Sequence, residues 1–137
     1  MYKLTALLLS AILLVGCDKA QSGPSAELRA QQNTAFQEML KDPGNLEVVM
    51  AYAQAATKAG DYEAAVSAYE GMLVIDSNLP RVKLELGILY YRLKSYETSR
   101  TYLETALASP TLPADIRKPA ELLLAKMPKQ SKSSRGA

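Results

Sequence analysis

The feature that most constrains the fold of this chain is a weak self-similarity at an offset of 34 residues. Identities that fall in register at that offset include Tyr62 with Tyr96, Glu63 with Glu97, Glu70 with Glu104, Leu73 with Leu107 and Asp42 with Asp76. Two further pairs share small side chains: Ala53 with Gly87 and Ala65 with Ser99. A fixed period of this length indicates one supersecondary unit that is repeated along the chain. Each copy buries its apolar face by stacking on the next copy.

The repeated unit is helical. Between residues 25 and 127 there is no useful stretch of strand-like alternation, and apolar side chains recur every three or four residues, as on one helix face. One such face in the first unit is formed by Tyr62, Ala65, Tyr69 and Met72. Polar breaks at residues 42–45, 60–61, 76–78, 94–95 and 109–110 divide the segment, and three residues stand where they can cap helix starts: Asn45, Asp61 and Ser95. We therefore predict an all-α domain of six helices and no sheet.

Two of these helices flank the repeats. Residues 25–41 predict a lone helix in front of the first unit, with its apolar contacts at Leu28, Phe36, Met39 and Leu40. Behind the second unit, a last helix is predicted from a shared face of Ile116, Ala120, Leu123 and Met127, and it would cap the array for solubility. Because Pro119 lies within that stretch, we expect either a bend there or a helix that begins at Pro119.

The period and the paired helices resemble the tetratricopeptide repeat (TPR). That family has a small residue midway along the first helix of each unit, which corresponds to Ala53 and Gly87. It has an aromatic residue at the start of the second helix, here Tyr62 and Tyr96, and a small residue three positions later, here Ala65 and Ser99. The chain departs from the family early in the first helix, where a large aromatic is favoured and Val49 and Lys83 stand instead. The resemblance covers residues 46–109 and implies a short array of two full TPR-like units, whose first helices form a concave binding surface.

The N-terminal residues predict an export signal. Residues 4–16 follow Lys3 without a charge, and as a helix they would span about 20 Å, whereas a bilayer core needs roughly 30 Å. The segment ends in Leu14-Val15-Gly16-Cys17, which resembles the lipobox of bacterial lipoproteins. The resemblance implies cleavage before Cys17 and a covalent lipid on Cys17. An ordinary signal that ends near a buried thiol is the alternative.

The same resemblance implies a location in the cell. A lipidated Cys17 would anchor the protein on the periplasmic side of a bacterial envelope. Asp18 directly after it resembles the signal that retains such proteins in the inner membrane, with the outer membrane left open.

The chain thus divides into four predicted segments: a signal peptide at 1–16, the lipidated Cys and a tether at 17–25, a TPR-like helical domain at 26–127 and a basic disordered tail at 128–137. The tether contains Gly23 and Pro24, which are typical of flexible linkers. The tail has no apolar periodicity, which predicts a solvated segment. Weak attraction of the tail to anionic lipid headgroups is the alternative.

The resemblance also implies a partner groove on the first helices of the two units. Position by position, its residues would be Glu47, Met50, Gln54, Thr57 and Lys58 from the first unit and Arg81, Leu84, Ile88, Tyr91 and Arg92 from the second. Leu84, Ile88 and Tyr91 form a second apolar stripe on their helix, which is either buried by the flanking helices or open to a partner. With basic edges at Lys58, Arg81 and Arg92, an open groove would suit a partner segment with acidic flanks.

Composition argues against several other function classes. The chain has no His and one Cys, so it lacks the commonest general base and cannot build an internal disulfide or a thiolate zinc site. No Gly-rich phosphate loop is present, and the formal net charge of +2 does not indicate a nucleic-acid binder. We therefore expect no enzyme, no metal, no small-molecule substrate, no nucleic-acid partner and no cofactor besides the lipid on Cys17.

The expected function is a membrane-anchored scaffold or adaptor that binds a protein partner. By analogy of architecture, it would help to assemble an envelope complex such as pilus or secretion machinery. Two alternatives stay open. One is a permanent structural subunit of a larger membrane complex with no exchangeable ligand, and the other is an enzyme with an unrecognised site.

Overall fold

The computed structural model describes residues 23–128, and this part of the chain consists of six α-helices without a strand. The helices are α1 (Ala26–Lys41), α2 (Leu46–Ala59), α3 (Tyr62–Ile75), α4 (Pro80–Arg92), α5 (Tyr96–Leu107) and α6 (Ala114–Lys126). The predicted all-α class and the six helices are confirmed for these residues. The predicted signal, Cys17, most of the tether and the tail from Lys129 onward lie outside the described residues.

Short polar side chains set the starts of the first three helices. The Ser25 hydroxyl accepts the backbone N–H of Leu28 at 3.3 Å, and Asn45 Oδ1 accepts that of Glu47 at 3.1 Å. Asp61 Oδ1 likewise accepts the N–H of Ala64 at 3.2 Å. Ser95 occupies the equivalent place before α5, but its side chain makes no capping hydrogen bond. The predicted caps at Asn45 and Asp61 are therefore confirmed. Ser95 occupies the predicted N-cap position, but the capping hydrogen bond is not formed.

The backbone repeats the 34-residue offset at the turns between paired helices. Gly60, after α2, and Lys94, after α4, both have left-handed backbones, with φ of 77° and 62°. In each turn the next residue closes the same bond, from Asp61 N to Ala56 O and from Ser95 N to Tyr90 O, both at 2.9 Å. Lys94 holds a conformation that favours glycine, which is why the turn is harder to recognise from the second copy.

The core consists of two buried clusters, one formed by α2, α3 and α4 and the other by α4, α5, α6 and Met127. Equivalent positions of the two units are buried in both clusters. Tyr69 of α3 is 1% exposed, and Leu103, its counterpart in α5, is fully buried. Within the second pair, α4 and α5 approach closely at Gly87, whose carbonyl accepts a 2.6 Å hydrogen bond from the buried Ser99 hydroxyl. Small residues at these places let the paired helices touch.

Two expectations about the flanking helices are wrong. Leu40 is 56% exposed rather than packed, because α1 lies at the end of the array and has neighbours on one side only. Met39 points to that side, and Leu40 follows it about 100° further round the helix. A helix beginning at Pro119 is also wrong, since α6 runs continuously through Pro119 from Ala114.

Among residues 23–128, none of the helices combines the length and the apolar character that a membrane crossing requires.

Candidate functional site

An open apolar groove runs between α4 and α6, with a volume of about 460 Å³. We call it the α4/α6 groove, and it is lined by Leu84, Glu85, Ile88, Ile116, Pro119, Ala120, Leu122, Leu123 and Lys126. Leu122 is 54% exposed, so apolar surface on this wall is accessible to a partner.

Helix α6, which forms one wall of the groove, is held against the end of α5 by Arg117. Its guanidinium donates to three backbone carbonyls at the end of α5 and in the following loop, those of Leu107, Ser109 and Leu112, at 2.6, 2.9 and 3.3 Å. Below the groove, Ala120 and Met127 pack with Leu84 in a buried cluster that also includes Leu103 and Ala106. The predicted terminal helix therefore forms one wall of the candidate site.

The three residues of the apolar stripe of α4, Leu84, Ile88 and Tyr91, differ in burial and in their contacts. Leu84 is only 4% exposed and belongs to the buried cluster. Ile88 is half-buried and lines the α4/α6 groove. Tyr91 is also half-buried, and its ring meets the edge of the Tyr96 ring with centroids 5.5 Å apart. The stripe thus runs from the buried floor of the groove at Leu84 to its more open surface at Ile88.

Three of the other predicted groove residues lie together in a second groove, between α2 and α4. This α2/α4 groove has a volume of about 420 Å³, and Glu47, Met50 and Arg81 are among its lining residues. The loop after α5 closes one end of it through Thr111 and Pro113. The ten positions carried over from the family therefore do not form one continuous surface.

The remaining predicted residues lie outside both grooves. Gln54 and Lys58 are exposed, and the Thr57 hydroxyl donates to the backbone carbonyl of Ala53 at 2.8 Å. Arg92 turns to the start of α3, where its guanidinium donates to the Tyr62 hydroxyl at 3.0 Å and stacks 5.4 Å from the centre of that ring. The basic edge of Lys58, Arg81 and Arg92 is therefore not assembled along one groove.

The sequence reasoning missed Glu85, the acidic residue that lines the α4/α6 groove. It is half-buried, and burial raises the pKa of its carboxyl, an effect that the positive charge of Arg81 partly offsets. Burial also raises the pKa of the Tyr69 phenol, and the charge of Glu85 raises it further. Glu85 could have been found from its spacing, because it lies three residues before Ile88 and shares a helix face with it.

A third groove, of about 340 Å³, lies on another side of the array between α1, α2 and α3. Its lining includes Phe36, Met39, Tyr52 and Ile75. Ile75 is 56% exposed, and its neighbour Val74 is 87% exposed. This surface is apolar, but no residue of α4 or α6 lines it.

Within the part of the chain that the structure describes, no group of three or more His, Cys, Asp or Glu side chains could hold a metal ion.

Comparison with known proteins supports the fold. No family model matches this sequence, and no curated protein matches it. Fourteen chains of solved structures match it, among them the crystal structure of PcrH in complex with the chaperone binding region of PopD. That likeness has a TM-score of 0.63 at 16% sequence identity, over 72% of this chain and 77% of that chain. This chain therefore has a TPR-like helical fold.

Proposed function

We propose that this protein is an adaptor that binds a segment of a partner protein in the α4/α6 groove. The observation that carries the proposal is a groove whose floor and walls are almost entirely apolar, with Ile88, Leu122 and Leu123 at its surface. Grooves of this kind take a helix or an extended segment of another protein through a few apolar anchors. PcrH, which is similar in fold, was crystallised with a segment of another protein, and this supports the proposal.

The proposal extends to the membrane. The segment Leu14-Val15-Gly16-Cys17 supports a covalent lipid on Cys17, and two or more acyl chains hold a protein stably on a bilayer. The anchored adaptor would act on the periplasmic side of the envelope, with Asp18 favouring the inner membrane, and would help to assemble an envelope complex. Anchoring concentrates the neighbours of the adaptor, so a modest affinity of the groove suffices. No enzymatic activity, metal or cofactor beyond the lipid is part of the proposal.

The anchor is tested by Cys17→Ser in cells fed with labelled palmitate. Because Cys17 is the only cysteine, we expect the variant to lose all label and to accumulate as an unprocessed precursor. The wild-type chain in the same cells is the control. Normal labelling and processing of the variant would refute the anchor.

The groove is tested by photo-crosslinking in intact cells. A crosslinking amino acid at Leu122, on the groove wall, is compared with the same amino acid at Val74, which is 87% exposed and outside the groove. We expect a defined adduct from Leu122 only, and we expect Ile88→Asp with Tyr91→Ala to abolish it while helicity persists.

The matched control for these variants is Ile75→Asp, which alters the third groove and should leave the adduct unchanged. An adduct that forms equally well from Val74, or that survives the α4 changes, would contradict the assignment of the groove. Loss of helicity in the α4 variant would return Ile88 and Tyr91 to the core.

The exposed side chains of Val74 and Ile75 favour one second candidate, a permanent structural subunit whose apolar surface stays covered in a larger complex. In that case a soluble form comprising residues 18–137 would associate or precipitate on purification. An adaptor should stay monomeric, which sedimentation velocity would measure.

A further inference from the structure

The α4/α6 groove is lined by one carboxylate, that of Glu85, and by one cation, the exposed Lys126, among apolar side chains. Glu85 lies on the same face of α4 as Ile88, and it lines the groove together with apolar side chains of α6. Within residues 23–128, no hydrogen bond or ion pair joins the Glu85 side chain to another residue. The ion pair of this part of the chain lies elsewhere, between Lys41 and Glu38. The Glu85 carboxylate is thus available to a ligand.

Two cations are near Glu85, and neither neutralises it by contact. Arg81 precedes it by one helical turn and lines the α2/α4 groove instead. Lys126 lines the α4/α6 groove from the last turn of α6, and it forms no ion pair with the carboxylate. A half-buried carboxylate without a salt-bridge partner interacts strongly with any cation that displaces its water, because the surrounding dielectric constant is low.

We infer that the α4/α6 groove recognises a partner segment that carries a lysine or arginine between apolar side chains, with its cation paired to Glu85. This inference rests on the proposed function, since it names the chemistry of the partner bound at that same site. The apolar side chains of the segment would pack on Ile88, Leu122 and Leu123. Truncating one partner of such a charge pair weakens binding more than removing a charge at an exposed rim does.

The inference revises an expectation drawn from the sequence. Basic residues at the edges of the predicted groove favoured a partner with acidic flanks. Arg92 instead contacts Tyr62, and Arg81 lines the other groove. At the α4/α6 groove the half-buried charge is the Glu85 carboxylate, whereas Lys126 is exposed, so the complementary charge within the groove is positive.

The test begins with a library of short random peptides selected for binding to the full-length protein. Selected sequences are expected to share one basic residue flanked by apolar residues. Three synthetic versions of the strongest binder are then made with lysine, norleucine or glutamate at that position, and their Kd values are measured by fluorescence anisotropy.

Against the wild type, the lysine peptide should bind about tenfold more tightly than the norleucine peptide, as expected for a hydrogen bond to a charged group. Glu85→Gln, which keeps the shape of the side chain, should remove that preference. Glu85→Lys should reverse it in favour of the glutamate peptide. Glu104→Gln changes an exposed glutamate outside the groove and should have no effect.

The outcomes separate this inference from the proposed function. If the peptides bind, if Ile88→Asp abolishes their binding, and if the lysine peptide has no advantage, the role of Glu85 is overturned while the groove stands. If no peptide binds in a manner sensitive to Ile88→Asp, the proposed function fails as well. A concentration-dependent dimer that Ile88→Asp disrupts would make a second copy of this chain the occupant and would overturn the inference of a basic partner segment. If lysine peptides bind only after removal of residues 129–137, the occupant of the groove is the chain's own basic C-terminal segment. That result would also overturn the inference of a basic partner segment.

Discussion

A methyl group added at Gly87 tests the stacking of the paired helices directly. In Gly87→Ala the new Cβ would lie 2.6 Å from Leu103 Cγ, 2.7 Å from Leu103 Cδ2 and 3.2 Å from Leu103 N. Favourable contacts between carbon atoms lie at about 3.5–4.0 Å. Leu103 is fully buried and cannot swing away, so α5 must shift, and the 2.6 Å bond from Ser99 to the Gly87 carbonyl must stretch.

The size of the effect follows from two opposing contributions. Overpacking a well-filled core costs about 1–3 kcal/mol, whereas alanine in place of glycine within a helix stabilises by about 1 kcal/mol. Gly71→Ala isolates the second contribution, because Gly71 also lies inside a helix and an added Cβ there meets nothing within 4 Å. We therefore expect Gly87→Ala to be about 2 kcal/mol less stable than Gly71→Ala.

Urea denaturation of the two variants, followed by circular dichroism, measures that difference in the free energy of unfolding. In a thermal scan it should separate the Tm values by about 10 °C for a domain of this size. Gly87→Leu, with a larger side chain, should be less stable still. If Gly87→Ala were stabilised as much as Gly71→Ala, the close approach of α4 and α5 would be wrong, and the repeat register with it.

Three further perturbations probe single contacts. Asn45→Ala should cost about 1 kcal/mol of stability by removing a helix cap, whereas Ser95→Ala, at a cap position without a hydrogen bond, should cost much less in the same denaturation assay. The Glu70 carboxylate accepts the hydroxyl of Tyr90 and raises its pKa from 10.0 to about 12, so this stabilisation is complete below pH 10 and is lost as the pH rises toward 12. The ultraviolet absorbance titration of Tyr90→Phe should therefore lack one tyrosine that ionises near pH 12 in the wild type. Arg117→Ala should cost about 1.5–3 kcal/mol, because charge-assisted hydrogen bonds to carbonyls are lost, and hydrogen exchange should localise the loss to α6.

The fold could be predicted because the signals that specify it are local and periodic. Tyr62 and Tyr96 open α3 and α5 at equivalent positions, both half-buried, as their spacing required. Even the turn at Lys94, which lacks the glycine of its counterpart Gly60, keeps the repeat because tertiary packing outweighs the local preference of one residue. Alignment of the chain with itself captures such regularities without knowledge of any contact.

The candidate site was less predictable because it depends on which helices become neighbours. Leu84 and Ile88 are both aliphatic and share one face of α4, and both line the α4/α6 groove, yet the packing of α5 and α6 buries Leu84 and leaves Ile88 half-buried. The direction of Arg92 toward Tyr62 is likewise a choice among rotamers of a long side chain. Charge at a groove is therefore a property of the assembled helices, which periodicity does not encode.

The two walls of the α4/α6 groove differ in how firmly they are built. Helix α4 contributes five buried residues, whereas α6 contributes Ala120 alone and contains Pro119, which removes one of its backbone hydrogen bonds. Segments with little buried apolar contact open at a lower free energy, so the amides of α6 should exchange with solvent before those of α4. The firmly packed α4 therefore faces an α6 that opens more readily, so the groove can accommodate partner side chains of different sizes while the rest of the array stays unchanged.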